Sequence, residues 1–208
     1  MQLYEAARRL AEGGIAIYPT ETFYAIGCRA DRADSVSRIF AAKRRPSGKP
    51  LPLIAGSATM ALEAVLPGSK VCEDIPLLAR FWPGPLTLLL PCSPVLPHVV
   101  TAGTGMAAIR VSSHPAARKL ALHCGFPLVS TSANISGRPP ARTAAELDRE
   151  LLDMLHNDSD ALVTAAPEPS GGAPSTIIMP LGGRRFRLIR EGILPVATLA
   201  SAGFLRHD

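Results

Sequence analysis

Aromatic residues are scarce in this 208-residue chain, at 5%. That is too few for the stacking platforms that bind single-stranded nucleic acid. Cysteine is sparse as well. Cys28, Cys72, Cys92 and Cys124 form no Cys-x-x-Cys pair and have no histidines at zinc spacing, so free thiols in a reducing compartment are expected, not a disulfide framework or a metal ribbon. Residues 81–109 contain no Lys, Arg, Asp or Glu. Five prolines and three glycines in that stretch exclude a membrane-spanning helix, whose backbone could not be satisfied through so many breaks. The segment reads instead as buried strands and tight turns. At the N-terminus Glu5, Arg8, Arg9 and Glu12 stand where a secretory signal needs an apolar core, so a cytoplasmic protein is expected. There is no Walker A sequence and no Gly-x-Ser-x-Gly elbow, so a P-loop ATPase and an α/β-hydrolase lack their main signatures.

Apolar residues make up 47% of the chain, enough for a sizeable core, and the length suits a single domain over 1–208. The net charge is +5 and the pI about 9.3, which favours anionic ligands such as nucleotides or RNA without choosing between them.

Apolar periodicity predicts a helix through Leu3, Ala6, Ala7, Leu10 and Ala11, stopped by Gly13-Gly14. Further helices are predicted at Ala33–Lys43, with Val36, Ile39 and Phe40 on one face, and at Thr59–Leu66, Ile75–Phe81 and Pro115–Cys124, the last capped by Ser113 or His114. Thr143 with Glu146 reads as a capping box opening another. Strands are predicted at Ile15–Tyr18, Phe23–Cys28, Leu51–Ala55, Leu86–Leu90, Ala107–Val111, Leu128–Thr131, Ala161–Thr164, Ser175–Met179 and Phe186–Ile189. Helices and strands alternate irregularly, which points to an α/β fold with a mixed sheet. Pro167–Pro174 reads as a mobile connector.

Three polar clusters carry candidate chemistry. Lys43-Arg44-Arg45-Pro46-Ser47-Gly48-Lys49 places four cations at a predicted helix end. These either offset the helix dipole in solvent or clamp a phosphate, with Arg as a fork and Lys as a point charge. Ser130-Thr131-Ser132-Ala133-Asn134 follows an apolar strand and offers hydroxyls and an amide for phosphate, ribose or carboxylate, or for turn capping alone. Pro19-Thr20-Glu21-Thr22 is a similar cluster after a strand. Gly103-Thr104-Gly105-Met106-Ala107-Ala108 matches a loose dinucleotide fingerprint, but it precedes a strand instead of opening a helix, so the Rossmann reading fails. Ser170-Gly171-Gly172 reads as a connector, with Pro174 close behind it. The histidines at 98, 114, 123 and 156 show no metal spacing.

Taken in order, these clusters resemble one family. Pro19-Thr20-Glu21-Thr22 is followed by Lys43-x-Arg45-Pro46, then by Phe81-Trp82-Pro83-Gly84-Pro85-Leu86-Thr87, Ala108-Ile109-Arg110-Val111 and Ser130-x-Ser132-x-Asn134-Ile135-Ser136-Gly137. Ser175-Thr176-Ile177-Ile178 and Ile189-Arg190-Glu191-Gly192 close the series. The set resembles the YrdC-like threonylcarbamoyl-AMP synthases, which supply the activated intermediate for N6-threonylcarbamoyladenosine in tRNA, and it runs from about residue 5 to 195.

The resemblance implies a twisted mixed sheet flanked by helices, with a large basic cavity. It implies threonine contacts at Thr22, Arg110, Ser130 and Ser175, and ATP contacts at Arg45, Lys49, Ser132, Asn134 and Arg190. Lys43 and Arg45 are implied as the catalytic cations, and Mg²⁺ as an ion carried in on ATP with no protein ligands. Bicarbonate is the third substrate, and a tRNA-modifying transferase complex is the implied recipient of the product. Direct tRNA binding is left open. Two positions depart from the pattern: Ala25 follows Phe23-Tyr24 where a glycine is usual, and Ile54 stands where some longer members have His. The longer branch also carries a further C-terminal domain, and a short, single-domain form is expected here. The alternatives are a non-catalytic RNA-binding or ribosome-assembly module, which needs no such polar set, and a carbamoyl-transfer relative, which places a similar domain in a larger chain.

Overall fold

The computed structural model describes residues 3–46, 48–65, 73–155, 160–165 and 167–207. Helix α1 (Leu3–Ala11) buries Ala6, Ala7 and Leu10 and turns Arg8 outward to Glu5 and Glu12. It ends at Gly13, whose φ of 95° few other residues would tolerate. Strands β1 (Ala16–Pro19) and β2 (Tyr24–Gly27) follow as an antiparallel hairpin. Its connecting loop is closed by Thr20, which donates through both N–H and hydroxyl to the Phe23 carbonyl at 3.1 and 2.7 Å.

Helix α2 (Ala33–Ala42) presents Val36, Ile39 and Phe40 to the core, as the periodicity predicts. Strand β3 (Leu53–Ala55) leads into α3 (Ala58–Glu63), capped by Ser57, whose hydroxyl accepts from Met60 N. The predicted end of that helix at Leu66 lies outside the described residues. The predicted Ile75–Phe81 helix is α4 (Ile75–Leu78) running on into a 3-10 turn at Ala79–Phe81. Strand β4 (Leu86–Pro91), a short α5 (His98–Thr101) and β5 (Met106–Val111) make up the charge-free stretch. Helix α6 (Pro115–Cys124) is capped by the His114 ring, whose Nδ1 accepts from Ala116 N at 3.2 Å.

Two expectations need correction. The predicted strand Leu128–Thr131 is two strands in different sheets. Strand β6 (Leu128–Val129) pairs with β3, and β7 (Thr131–Ser132) pairs with β2. Period-2 alternation cannot report which sheet a strand joins, so the crossing at Ser130 left no trace in the pattern. The capping box at Thr143 does not form either. Glu146 accepts from Arg142 N at 2.7 Å, Ala144–Glu146 is only a 3-10 turn, and α7 (Arg149–Asp153) is capped by Asp148.

Strands β8 (Ala161–Leu162), β9 (Thr176–Gly182) and β10 (Arg185–Arg190), helix α8 (Val196–Ser201) and strand β11 (Leu205–Arg206) complete the described elements. One sheet has the order β7-β2-β1-β8 and the other β11-β10-β9-β4-β5-β3-β6, each mixing parallel and antiparallel pairs, with helices packed against them. The core is one cluster drawn from both sheets and the helices, with fully buried residues such as Leu10, Ile17, Ile26, Ile39, Leu53, Leu88 and Ile109, each stabilising the fold by roughly 1.5–3 kcal/mol. Among the described residues no helix is long and apolar enough to cross a membrane, and Cys28, Cys92 and Cys124 are free thiols. Cys72 and His156 lie outside the described residues.

Candidate active site

A cleft of about 450 Å³ opens on one face of the larger sheet, a size suited to a nucleotide-scale ligand. Strand pairing explains its floor. Thr87 and Leu89 of β4 lie beside Ile177 of β9 and Ala108 of β5, and Arg110 is two residues further along β5 on the same face. Its walls are the β1–β2 loop (Thr20, Thr22, Phe23), the sheet-crossing segment Ser130–Ser132, Arg45 after α2, and Pro174-Ser175 with Arg190. Of the ten residues predicted for the site, Thr22, Arg45, Arg110, Ser130, Ser132, Ser175 and Arg190 line this one cleft. They come from segments far apart in the chain.

The three arginines are held differently. Arg110 gives Nε to Glu21 Oε1 at 2.8 Å. Arg190 gives Nε and Nη2 to the Ser175 carbonyl at 3.2 and 2.8 Å, and the Ser175 hydroxyl meets Thr87 Oγ1 at 2.9 Å. Arg45 donates through Nη2 to the Pro50 carbonyl at 3.0 Å, while its Nε is buried without a partner. Burial draws the Arg45 guanidinium below its ordinary value, and burial together with the charge of Arg110 does the same to Arg190. These side chains crowd positive charge in a partly dry cleft, an arrangement that an anion relieves.

Lys43, Arg44 and Arg45 are consecutive yet point three ways. The reason is a Schellman turn at the end of α2: Arg45 N–H donates to Phe40 O at 2.9 Å and Arg44 N–H to Ala41 O at 3.0 Å. Arg44 occupies the left-handed position at φ 48°, usually given to glycine, and reaches out to Glu150 on α7. Arg45 enters the cleft. Lys43, 2% exposed, sits behind the cleft wall, and its ammonium donates to the main-chain carbonyls of Ser132 and Asn134. Burial and then the charge of Arg45 bring that ammonium down to about 8.

The structure does not bring Lys43, Lys49 or Asn134 to the cleft lining. Lys49 is exposed. Asn134 is buried and folds its own turn, donating through Nδ2 to the carbonyls of Ile135 and Arg138 at 3.0 and 2.6 Å, with Oδ1 unpartnered. Ile54 is wholly buried in β3, between β5 and β6. Sequence reasoning passed over Thr87, although it lies in the quoted Phe81–Thr87 motif, and over Glu21, whose partner Arg110 is 89 residues away. The connector at 167–174 packs on the β1–β2 loop, where Ser170 N–H donates to Glu21 O and Gly171 N–H to Thr22 O. His114 Nε2 meets the Pro167 carbonyl at 2.6 Å. The Gly103–Gly105 loop leads into β5, as expected of a turn and not of a dinucleotide site.

A family model named Sua5_yciO_yrdC, described as "Telomere recombination", matches residues 8–192. The threonylcarbamoyl-AMP synthase of Idiomarina loihiensis is 37% identical over 187 residues, covering 88% of this chain and 96% of that protein. The threonylcarbamoyl-AMP synthase of Bacillus subtilis is 38% identical over 151 residues, and there this chain spans 43% of the relative. Among solved structures, Sua5 of P. abyssi superimposes with a TM-score of 0.86 at 33% identity, covering 99% of this chain and 58% of that one. Sua5 of P. abyssi complexed with L-threonine gives a TM-score of 0.84. E. coli YciO, at 24% identity and a TM-score of 0.70, shares the fold.

Proposed function

Because the chain belongs to the Sua5_yciO_yrdC family, we propose that it is a threonylcarbamoyl-AMP synthase, a transferase acting on ATP that takes L-threonine and bicarbonate as its other substrates. In finer terms it is a nucleotidyltransferase. The threonine amine and bicarbonate give a carbamate, a carbamate oxygen attacks the α-phosphate of ATP, and pyrophosphate leaves. The observation that supports this most is the convergence of Arg45, Arg110 and Arg190 with the hydroxyl residues Thr22, Ser130, Ser132 and Ser175 on one cleft.

All reactants except the amine bring negative charge, so orientation and electrostatic stabilisation dominate the barrier, and no covalent nucleophile is needed. Arg110, Thr22, Ser130 and Ser175 would hold threonine, with Arg110 on its carboxylate. Arg45, Ser132 and Arg190 would hold the nucleotide, with the exposed Lys49 as a further cation for it and Asn134 shaping the turn. Arg45 would meet the charge that builds on the phosphates, while Lys43 supports the Ser132–Asn134 wall from behind. Mg²⁺ would arrive on the triphosphate and help neutralise it. The product is a reactive mixed anhydride, to be consumed by a transferase that modifies tRNA.

The test is to incubate the protein with ATP, Mg²⁺, bicarbonate and L-threonine and to measure pyrophosphate and the adenylate. Turnover should require both threonine and bicarbonate. Pyrophosphate release that ignores either one, or no release at all, rules the assignment out.

A further inference from the structure

Glu21 stands between Thr20 and Thr22, both in the cleft wall. Its carboxylate is used up inside the protein: Oε1 accepts from Arg110 Nε at 2.8 Å, and Oε2 accepts from the Ser112 hydroxyl. Its side chain is 13% exposed and that of Arg110 is 8% exposed. Stability alone is a weak reason for such a pair, since desolvating two charges cancels most of their attraction.

The geometry supplies a better reason. A guanidinium presents its donors in one plane, and Glu21 occupies the Nε edge. The hydrogen bonds of the described residues engage no other nitrogen of Arg110. Because Arg110 lines the cleft, its two terminal nitrogens are the edge it offers to a ligand, and that edge matches a carboxylate in bidentate fashion. Ser112 in turn fixes Glu21, whose own carbonyl accepts from Ser170 N–H at 3.3 Å. Burial works to raise the Glu21 carboxyl, but the charge of Arg110 and the Ser112 hydroxyl outweigh it and leave the group lowered. Glu21 therefore stays ionised and acceptor-only at neutral pH.

We propose that Glu21 is a positioning residue for the substrate carboxylate, holding Arg110 by its Nε so that the two terminal nitrogens receive the carboxylate of threonine as a bidentate pair. This rests on the reading of the cleft as a threonine site. Glu21 touches no substrate itself. It acts through the orientation of Arg110.

The test compares wild type, Glu21→Ala and Glu21→Gln for calorimetric binding of L-threonine, L-threoninamide and ATP, alongside steady-state kinetics. Glu21→Ala should weaken threonine binding by about tenfold or more, the loss typical of a charge-assisted hydrogen bond. That loss should appear in KM for threonine more than in kcat. Threoninamide, which lacks the carboxylate, and ATP should bind both proteins within about twofold of each other, as expected if only the carboxylate contact is lost. Glu21→Gln, which keeps an acceptor oxygen for Nε, should recover much of the loss. If Glu21→Ala does not fold, Ser112→Ala replaces it, with a smaller loss of the same selectivity. Unchanged threonine affinity, or equal losses for all three ligands, would overturn the inference. Threonine- and bicarbonate-dependent turnover by the wild type tests the functional reading separately, so a fully active wild type with an indifferent Glu21→Ala defeats this inference alone.

Discussion

The ammonium of Lys43 donates to the main-chain carbonyl of Asn134 at 2.6 Å, and it makes a second bond to the carbonyl of Ser132. One buried cation thus ties the end of α2 to the segment that leaves one sheet for the other. The Lys43 carbonyl returns the contact by accepting from Ser136 N–H at 2.9 Å. Removing the cation should let the Ser130–Ser132 wall drift. Lys43→Met is expected to lower turnover by about tenfold or more, from ~1.5–3 kcal/mol for a charged hydrogen bond. Pyrophosphate release is the readout, and a wild-type rate would show that the wall does not depend on this lysine.

Lys43 also sets a pH dependence of stability. Its ammonium is brought from 10.5 to about 8, chiefly by burial. Below about pH 8 the proton is bound in both states, and burying the charge costs stability. Between about 8 and 10.5 the unfolded chain keeps a proton that the folded chain has released, so stability rises with pH across that window. The two carbonyl acceptors favour the charged form and so limit the size of that rise. Urea unfolding at about pH 7.5 and again at about pH 10 should show wild type gaining on Lys43→Met at the higher pH. A gap that does not move with pH would contradict the assignment.

Arg45 faces the cleft with an unpartnered Nε and a single bond to the Pro50 carbonyl. Arg45→Ala should therefore leave thermal stability nearly unchanged while cutting turnover by about tenfold or more, with KM for ATP rising. Steady-state kinetics beside a thermal melt separates the two effects. A large fall in melting temperature with ATP affinity intact would mean that Arg45 is structural.

Gly192 packs directly on the strap that carries Ser175. A Cβ there would lie 2.0 Å from Pro174 O and 2.7 Å from the Ser175 carbonyl carbon, both backbone atoms that cannot turn aside. Gly192→Ala should cost about 1–3 kcal/mol and displace Ser175 from Thr87. Melting temperature and threonine KM should both worsen. A variant that matches wild type in both would show that the strap yields freely.

If Mg²⁺ travels with ATP, excess EDTA should stop turnover and added Mg²⁺ should restore it. Calorimetric titration of Mg²⁺ into nucleotide-free protein should give no saturable heat. Tight binding without nucleotide would point to a protein-built site.

The elements themselves were largely legible. The faces of α1 and α2, the bounds of α6 and most strands follow from local spacing, because 3.6- and 2-residue periods are properties of short windows, while the choice of His114 over Ser113 as the cap of α6 came from the structure. The failed capping box at Thr143 shows the limit: Glu146 accepts from Arg142 N–H in place of the amide of Thr143, and the turn stays 3-10. The ordered polar motifs also carried the resemblance, and with it most of the cleft's residues.

What the sequence by itself determined is which residue types stand in which order: an α/β pattern, a helix ending in Lys43-Arg44-Arg45, and hydroxyl clusters after strands. Where those side chains point was decided by tertiary structure alone. The Schellman turn sends Lys43 to a backbone wall and Arg45 to the cleft, and the crossing at Ser130 joins two sheets around it. Glu21 finds Arg110 across 89 residues. Local periodicity has no memory over such a distance, and the β1–β2 loop and β5 belong to different sheets, so only tertiary packing brings those two charges together.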